Sequence, residues 1–316
     1  MKLRKLSLWL LLTSLIVTSS LYGKVLNVVA TTPDIAWVAS ELLQKDGSVT
    51  TLLNGYEDAH AVDAVPSFIL AASKADVFCF VGVSLEVGWV PKVIEKTANQ
   101  KIQFGRDGYC DVGASIETLE KPKGPIDRSM GDVHPEGNPH YYASLPDLSK
   151  AAEKMAIHFA ANLDEAGMVR MQGNLERLKK RLQTKHVELK AKLLEHFGDQ
   201  LPTLAQYHGN FTYFFKSYGF KLFGNVEETP GVAPSAGAVA LKAMDAKKAK
   251  VSAVLAVPFN SRSVVEKFAK IAKIPAIIHS DMAQPGRESI KTPLLLQQSL
   301  VDTIIDKLPR THKAHP

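Results

Sequence analysis

From Glu165 to Phe197 the chain runs 33 residues without a proline. Leu175, Leu178, Leu182, Leu189, Leu193 and Leu194 make an apolar stripe at helical spacing, and Arg177, Lys179, Lys180, Arg181, Lys185, Lys190 and Lys192 fill the other faces. At about 1.5 Å per residue such a helix is roughly 45 Å long, enough to run the length of two packed lobes. It reads either as a partner helix in a coiled coil or as a rigid strut.

The flanking segments favour the strut. Before it, strands are expected at Val25–Ala30, Ser48–Leu53 and Asp76–Gly82, alternating with helices at Ile35–Leu43, Pro66–Lys74 and Ser84–Lys96. Thr32-Pro33-Asp34 supplies an N-cap, a proline at the first helical position and an acid in the first turn. A further helix is expected over Pro146–His158. After the long segment the alternation restarts. Strands are expected at Leu201–Tyr207, Phe220–Val226, Val251–Val257 and Ile274–Ser280. Helices are expected at Phe211–Tyr218, Pro234–Lys248, Arg262–Ala272 and Thr292–Lys307. Strands alternating with helices argue for parallel βα units. The expected fold is α/β, with two parallel-sheet lobes (24–163 and 199–316) joined by one long rigid helix (164–198). From Phe104 to Asn138 there is little periodicity, so a long loop is expected there, with a short strand at Ile102–Phe104.

Met1–Gly23 reads as a secretory signal peptide. Lys2, Arg4 and Lys5 precede an apolar run from Leu6 to Val17 that is too short for a comfortable membrane span. No cysteine lies in or just after it, so a lipid-anchored mature N-terminus is not expected. A soluble exported protein in a bacterial periplasm fits best, most simply a monomer. Loss of those three cations, with no acid before Gly23, lowers the formal charge of +6. With no Lys/Arg stripe interleaved with aromatics, nucleic-acid binding is a weak reading. Cys79 and Cys110 are the only cysteines. They could pair in an oxidising compartment, but Cys79 lies inside an apolar strand, and a buried free thiol is the expectation.

The chemistry gathers in loops. Gly131-Asp-Val-His-Pro-Glu-Gly-Asn-Pro-His140 carries two of ten histidines on a backbone stiffened by prolines. His60 and His140 in the first half, with His208 and Asp281 in the second, sit at strand ends or in the loops that follow, where open parallel sheets bind ligands. Two groups from each half place a site in the cleft between the lobes. Three imidazoles and one carboxylate suit Zn²⁺, whereas Mn²⁺ is harder and prefers more oxygen. Spacings of 80, 68 and 73 residues are no local metal motif.

Taken together, the motifs resemble a known family. Gly55-Tyr-Glu-Asp-Ala-His60, then Pro66-Ser67, Ala75-Asp76 and Gly82-x-x-Leu85-Glu86-x-x-Trp89, is similar to the opening signature of the periplasmic metal-binding proteins of zinc/manganese ABC importers. Asn138-Pro-His140-Tyr-Tyr, His208-Gly-Asn-Phe211-x-Tyr213, Tyr218-Gly219 and Pro234-Ser235-Ala236 resemble its later motifs in order. The resemblance implies a cleft between two α/β lobes, a helical strut, no catalysis, and Zn²⁺ (Mn²⁺ second) carried as cargo to an ABC permease of the inner membrane, with a metal donor protein as a further partner. It implies His60, His140 and His208 as ligands and Asp281, by position, as the carboxylate. The chain departs from the family at Ala59 (for Pro), Asn138 (for Asp) and Val257-Pro258 (for Glu-Pro). Around Asp281 the usual Leu-Asp-Pro is missing, and 110–133 holds no histidine.

His134 stays open as an accessory ligand, a loading residue or a loop-ordering partner. His279 could support or replace Asp281 if the strand persists to it, although a packed strand histidine is the plainer reading. Glu136 and Asp132 read as solvated or loop-capping. His158, His186 and His196 read as solvated on helices, and His312 and His315 as part of a polar tail. Trp37 and Trp89 read as core. Two competing functions are a zinc hydrolase using the same three histidines with Glu136 as base, and a surface adhesin of the same fold.

Overall fold

The computed structural model describes residues 25–124, 131 and 133–310. The expected signal peptide, Asp132, His312 and His315 lie outside the described residues. In the first lobe β1 (Leu26–Ala30), β2 (Gly47–Thr51), β3 (Val77–Phe80) and β4 (Tyr109–Asp111) form a parallel sheet in the order β2-β1-β3-β4. Around it lie α1 (Pro33–Leu43), α2 (Pro66–Ser73), α3 (Val90–Lys96) and α4 (Leu145–Ala160). The second lobe repeats the order as β6-β5-β7-β8, with β5 (Thr203–Gln206), β6 (Lys221–Asn225), β7 (Ala253–Ala256) and β8 (Ala276–Ile278) all parallel. Its helices are α6 (Thr212–Tyr218), α7 (Ala236–Lys248), α8 (Arg262–Ala272) and α9 (Pro293–Lys307). In both sheets the first strand of the lobe is central, so the loops leaving its carboxyl end open onto the inter-lobe face.

Between them runs α5, Glu165–Phe197, 33 residues long. The Asp164 side chain accepts the Gly167 N–H at its start, and Gly198, at φ 74°, ends it. Its first half packs Met171, Leu175, Leu178 and Leu182 into the first lobe's core. Its second half packs Leu189, Leu193 and Phe197 into the second lobe's core. One amphipathic face thus belongs to two cores, and any lobe rotation must repack it. The Asn174 amide donates to Leu42 O at 2.7 Å, and Arg170 grips Asp46 through two 2.7 Å hydrogen bonds. His186, expected in solvent, is 9% exposed and lies 4.7 Å from the Tyr218 ring, because this helix face turns onto α6.

The lobes also meet directly. Asp34 accepts the Ala283 N–H at 3.1 Å, the Gln284 amide donates to Gly55 O at 3.0 Å, and the Gln297 amide donates to Ala143 O at 2.7 Å. Burial pushes the Asp34 carboxyl up to about 8, so at neutral pH it sits in this contact as the acid.

Two stretches differ from the expectations above. Within the expected loop, Gln100–Ile102 is a single 3₁₀ turn, not the start of a strand, and the edge strand forms later as β4. Its register sets Cys110 opposite Cys79 with Cα atoms 4.4 Å apart, and the two are disulfide-bonded, contrary to the free thiols expected. The helix expected from Ser84 begins only at Val90. Val83 and Ser84 have positive φ, and the buried Glu86 carboxylate accepts the N–H groups of Val81 and Gly82, holding a turn where the helix would start.

Candidate metal centre

His60 lies in the loop after β2. Gly55 opens that loop at φ 81°, where a Cβ would stand 2.1 Å from Ala283 O, so only glycine fits. Asp58 accepts the His60 N–H at 3.0 Å, and Trp89, fully buried, donates its indole N–H to Ala59 O at 2.9 Å. The indole thus pins Ala59, the residue before His60. The same device recurs at His140, whose N–H is accepted by Asn138 Oδ1 at 2.8 Å. Each histidine follows, by two positions, an Asx side chain that folds the backbone around it. His140 itself sits in a 3₁₀ turn, His140–Ala143. His208 follows β5 in extended backbone.

These three come together. Ligand atoms of His60, His140 and His208 all lie within 4.8 Å of one another, and the ring centroids are 5.2, 5.5 and 5.4 Å apart. Each ring is held from behind through Nδ1. His60 Nδ1 meets Asp58 Oδ1 at 2.8 Å, and His208 Nδ1 meets Glu227 Oε2 at 2.8 Å. His140 Nδ1 meets Tyr142 Oη at 2.7 Å, and that hydroxyl donates to Asp281 Oδ2 at 3.2 Å. A carboxylate accepts and the tyrosine proton is committed to Asp281, so Nδ1 carries a hydrogen in all three rings. In the neutral form of each ring the lone pair therefore lies on Nε2. Orientation by an outer acceptor is how metal-binding imidazoles are normally set. His140 Nε2 is buried with no hydrogen-bond partner. Burial first, and then the neighbouring imidazoles, hold His140 well below the usual imidazole range, so it is kept as the neutral base that a metal requires. Burial raises the Asp58 carboxyl, but its bonds to His60 outweigh this and leave it below its ordinary value.

Asp281 is buried at the same site but is not one of the group. Its Oδ2 accepts from Asn210 at 2.8 Å as well as from Tyr142, and stands 3.8 Å from His140 Nδ1, on the side away from the lone pair. Burial raises its carboxyl despite these donors. His279 lies outside the group, because β8 ends at Ile278 and the alternation does not carry through. Its Nε2 meets Ser299 Oγ at 2.9 Å. Glu136 accepts from Ser84 Oγ at 2.8 Å on the surface. His134 is close: its Nε2 is 3.2 Å from His60 Nε2. The residues missed in the sequence are the outer ones. Asp58 and Asn138 share an i, i+2 relation to their histidines that could have been noticed. Glu227 and Tyr142 carry no local signal.

A cavity of about 350 Å³ opens beside the cluster, lined by His134, His140, His208, Glu120 and Asn225 among others. A second, of about 70 Å³, is lined by His60 and His208 with Asp58, Asn210 and Glu227 among others. The centre can bind a small cation through nitrogen.

Residues 28–306 match the family model described as ZnuA, "Zinc-uptake complex component A periplasmic". The chain is 27% identical over 199 residues to the "Manganese-binding lipoprotein MntA" of Bacillus subtilis (strain 168), covering 63% of this chain and 60% of that protein. It is 25% identical over 197 residues to the "Metal ABC transporter substrate-binding lipoprotein ScbA" of Streptococcus cristatus, covering 61% of this chain and 59% of that one. Both matches thus span about three-fifths of the relative. Among solved structures, ZnuA superposes with a TM-score of 0.73 at 18% identity, covering 90% of this chain and 100% of that one. A Mn-bound mutant of the periplasmic metal-binding protein of candidatus liberibacter asiaticus does so with 0.73 at 17% identity, covering 90% and 99%. No helix among the described residues is long and apolar enough to cross a membrane. With a family match from the first strand to the last helix, and the fold of ZnuA, the chain belongs to the family of periplasmic A components of zinc-uptake complexes.

Proposed function

We propose that this protein captures Zn²⁺ outside the cytoplasm and delivers it to an ABC-type permease of the inner membrane. The observation that carries the reading is the convergence of His60, His140 and His208, each with Nδ1 occupied by an outer acceptor. The ion is cargo, and the residues present fit it. Three imidazoles at one point suit a borderline cation, and the carboxyl groups of Asp58, Glu227 and Asp281 stand behind them to balance its charge. Manganese, named in one relative, favours a harder oxygen set, which this cluster does not offer at its centre. Asp281, expected as a ligand by position, acts in this reading through Tyr142 on His140. A metal donor protein is a further partner on the loading side, and the adhesin reading has no feature of its own. Nothing favours a hydrolase, since Glu136 is hydrogen-bonded to Ser84 on the surface.

The test is metal analysis and competition titration of the protein lacking 1–23, against His140→Ala. One tightly bound Zn²⁺ per chain, with affinity collapsing in the variant, is expected. Equal affinity in the two would sink the proposal.

A further inference from the structure

His134 reaches the cluster through His60 and lies outside the set of three whose ligand atoms all fall within 4.8 Å of one another. Its ring centroid is 5.1 Å from that of His60, against 5.2 to 5.5 Å among the other three. Its Nε2 is 3.2 Å from His60 Nε2. Without an ion the two nitrogens share a hydrogen bond, and an ion replacing its proton would find them near the spacing of about 3.3–3.4 Å that two nitrogens on one tetrahedral zinc, each at about 2.0–2.1 Å, require. His134 also lines the same cavity as His140 and His208, and is 9% exposed. The backbone is built to bring it there. Gly131, at φ 72°, comes so near the second lobe that a Cβ would stand 2.2 Å from Pro230 O. Gly137, at φ 109°, turns back against Leu119 O, and its N–H bonds His134 O at 3.0 Å. Asp281, meanwhile, is engaged by Asn210 and Tyr142 behind His140.

We propose that His134 is the fourth ligand, so that Zn²⁺ is held by four imidazoles with no carboxylate bonded to it. This rests on the metal-capture reading and adds a determinant of selectivity to it. An all-nitrogen sphere disfavours manganese more than a three-histidine, one-carboxylate sphere does. It also makes the 133–137 loop, not only the lobes, part of the binding event.

X-ray absorption at the zinc edge, on the Zn²⁺-loaded chain lacking 1–23, counts imidazoles and oxygens. The comparison proteins are His134→Ala and Asp281→Asn, each checked for fold by circular dichroism without metal. Expected are four imidazoles in the wild type, four in Asp281→Asn, and three plus oxygen in His134→Ala. In competition titrations His134→Ala should weaken Zn²⁺ by roughly 100-fold, the upper end of what disturbing a ligand's setting costs, and Mn²⁺ by much less. Three imidazoles plus oxygen in the wild type, lost in Asp281→Asn and kept in His134→Ala, would overturn the assignment and restore Asp281 as ligand while leaving the capture function standing. A wild type that binds no stoichiometric Zn²⁺ would overturn both.

Discussion

Replacing Tyr142 with phenylalanine removes one oxygen from a side chain that is 1% exposed and leaves its ring in place. That oxygen accepts from His140 Nδ1 at 2.7 Å and donates to Asp281 Oδ2 at 3.2 Å. Without it a buried N–H loses its acceptor and Asp281 keeps Asn210 as its side-chain donor. An unsatisfied buried group costs about 1–3 kcal/mol, which should appear as lower stability of the metal-free protein in urea. Loss of a ligand's outer partner costs about 10–100-fold in metal affinity, and the same loss is expected here for Zn²⁺ by chelator competition. One relaxation works against this. Asp281 Oδ2 is 3.8 Å from His140 Nδ1, so a shift of about 1 Å would let the carboxylate accept directly. Asp281→Asn in the Tyr142→Phe background removes that compensating charge, so the double variant should bind more weakly than either single one. Wild-type Zn²⁺ affinity in all three variants would refute the claim that Tyr142 and Asp281 set the His140 imidazole.

Three further outcomes are expected. Asp34 keeps its proton in the folded state up to about 8 because of burial, whereas the unfolded chain loses it near 3.8. Its contribution to stability therefore falls as pH rises across that interval. Asp34→Asn should flatten this slope and gain on the wild type between pH 5 and 8 in urea unfolding. Parallel pH profiles would count against it. The Cys79–Cys110 bond closes a separation of 31 residues, so Cys79→Ala with Cys110→Ala should cost about 3–4 kcal/mol. Unreduced, denatured wild type should show no reactive thiol, and two thiols would contradict the pairing. Leu182→Ala, at a fully buried position of α5, should cost about 2–5 kcal/mol, and an undiminished midpoint in urea would argue against the helix as a core element.

The architecture was legible because its signals are periodic and local. The leucine stripe of α5 could only face an apolar surface along its length, and the observed helix has the bounds read from the sequence. Prolines in the first turn marked where α1, α4 and α9 begin, and Pro234-Ser235 marked the start of α7. The failures were places where tertiary bonds override local preference. β4 is three residues long and exists because β3 offers it an edge. No pattern in Tyr109-Cys-Asp111 announces it, and with the strand unseen the disulfide was unseen too. The late start of α3 comes from a buried carboxylate, Glu86, bonding backbone N–H groups upstream of it.

The site divides along the same line. His60, His140 and His208 stood out because they lie in loops whose motifs resemble those of a known family, and the structure brings the three together. Their backing groups did not stand out, since a carboxylate behind an imidazole is defined by distance in space. Glu227 lies 19 positions from His208, and Asp281 139 from Tyr142. That distinction bears on Asp281 itself. Position along the chain put it at the site, and the structure agrees that it is there. Whether it bonds the ion or acts through a tyrosine depends on a few ångströms of placement, which the sequence does not encode locally. The presence of Asn210 and Tyr142 as its donors is what turns it away from the lone pair of His140. A carboxylate with two donors already satisfied has less to gain from a metal than a histidine beside the cluster, and His134 Nε2 stands 3.2 Å from His60 Nε2.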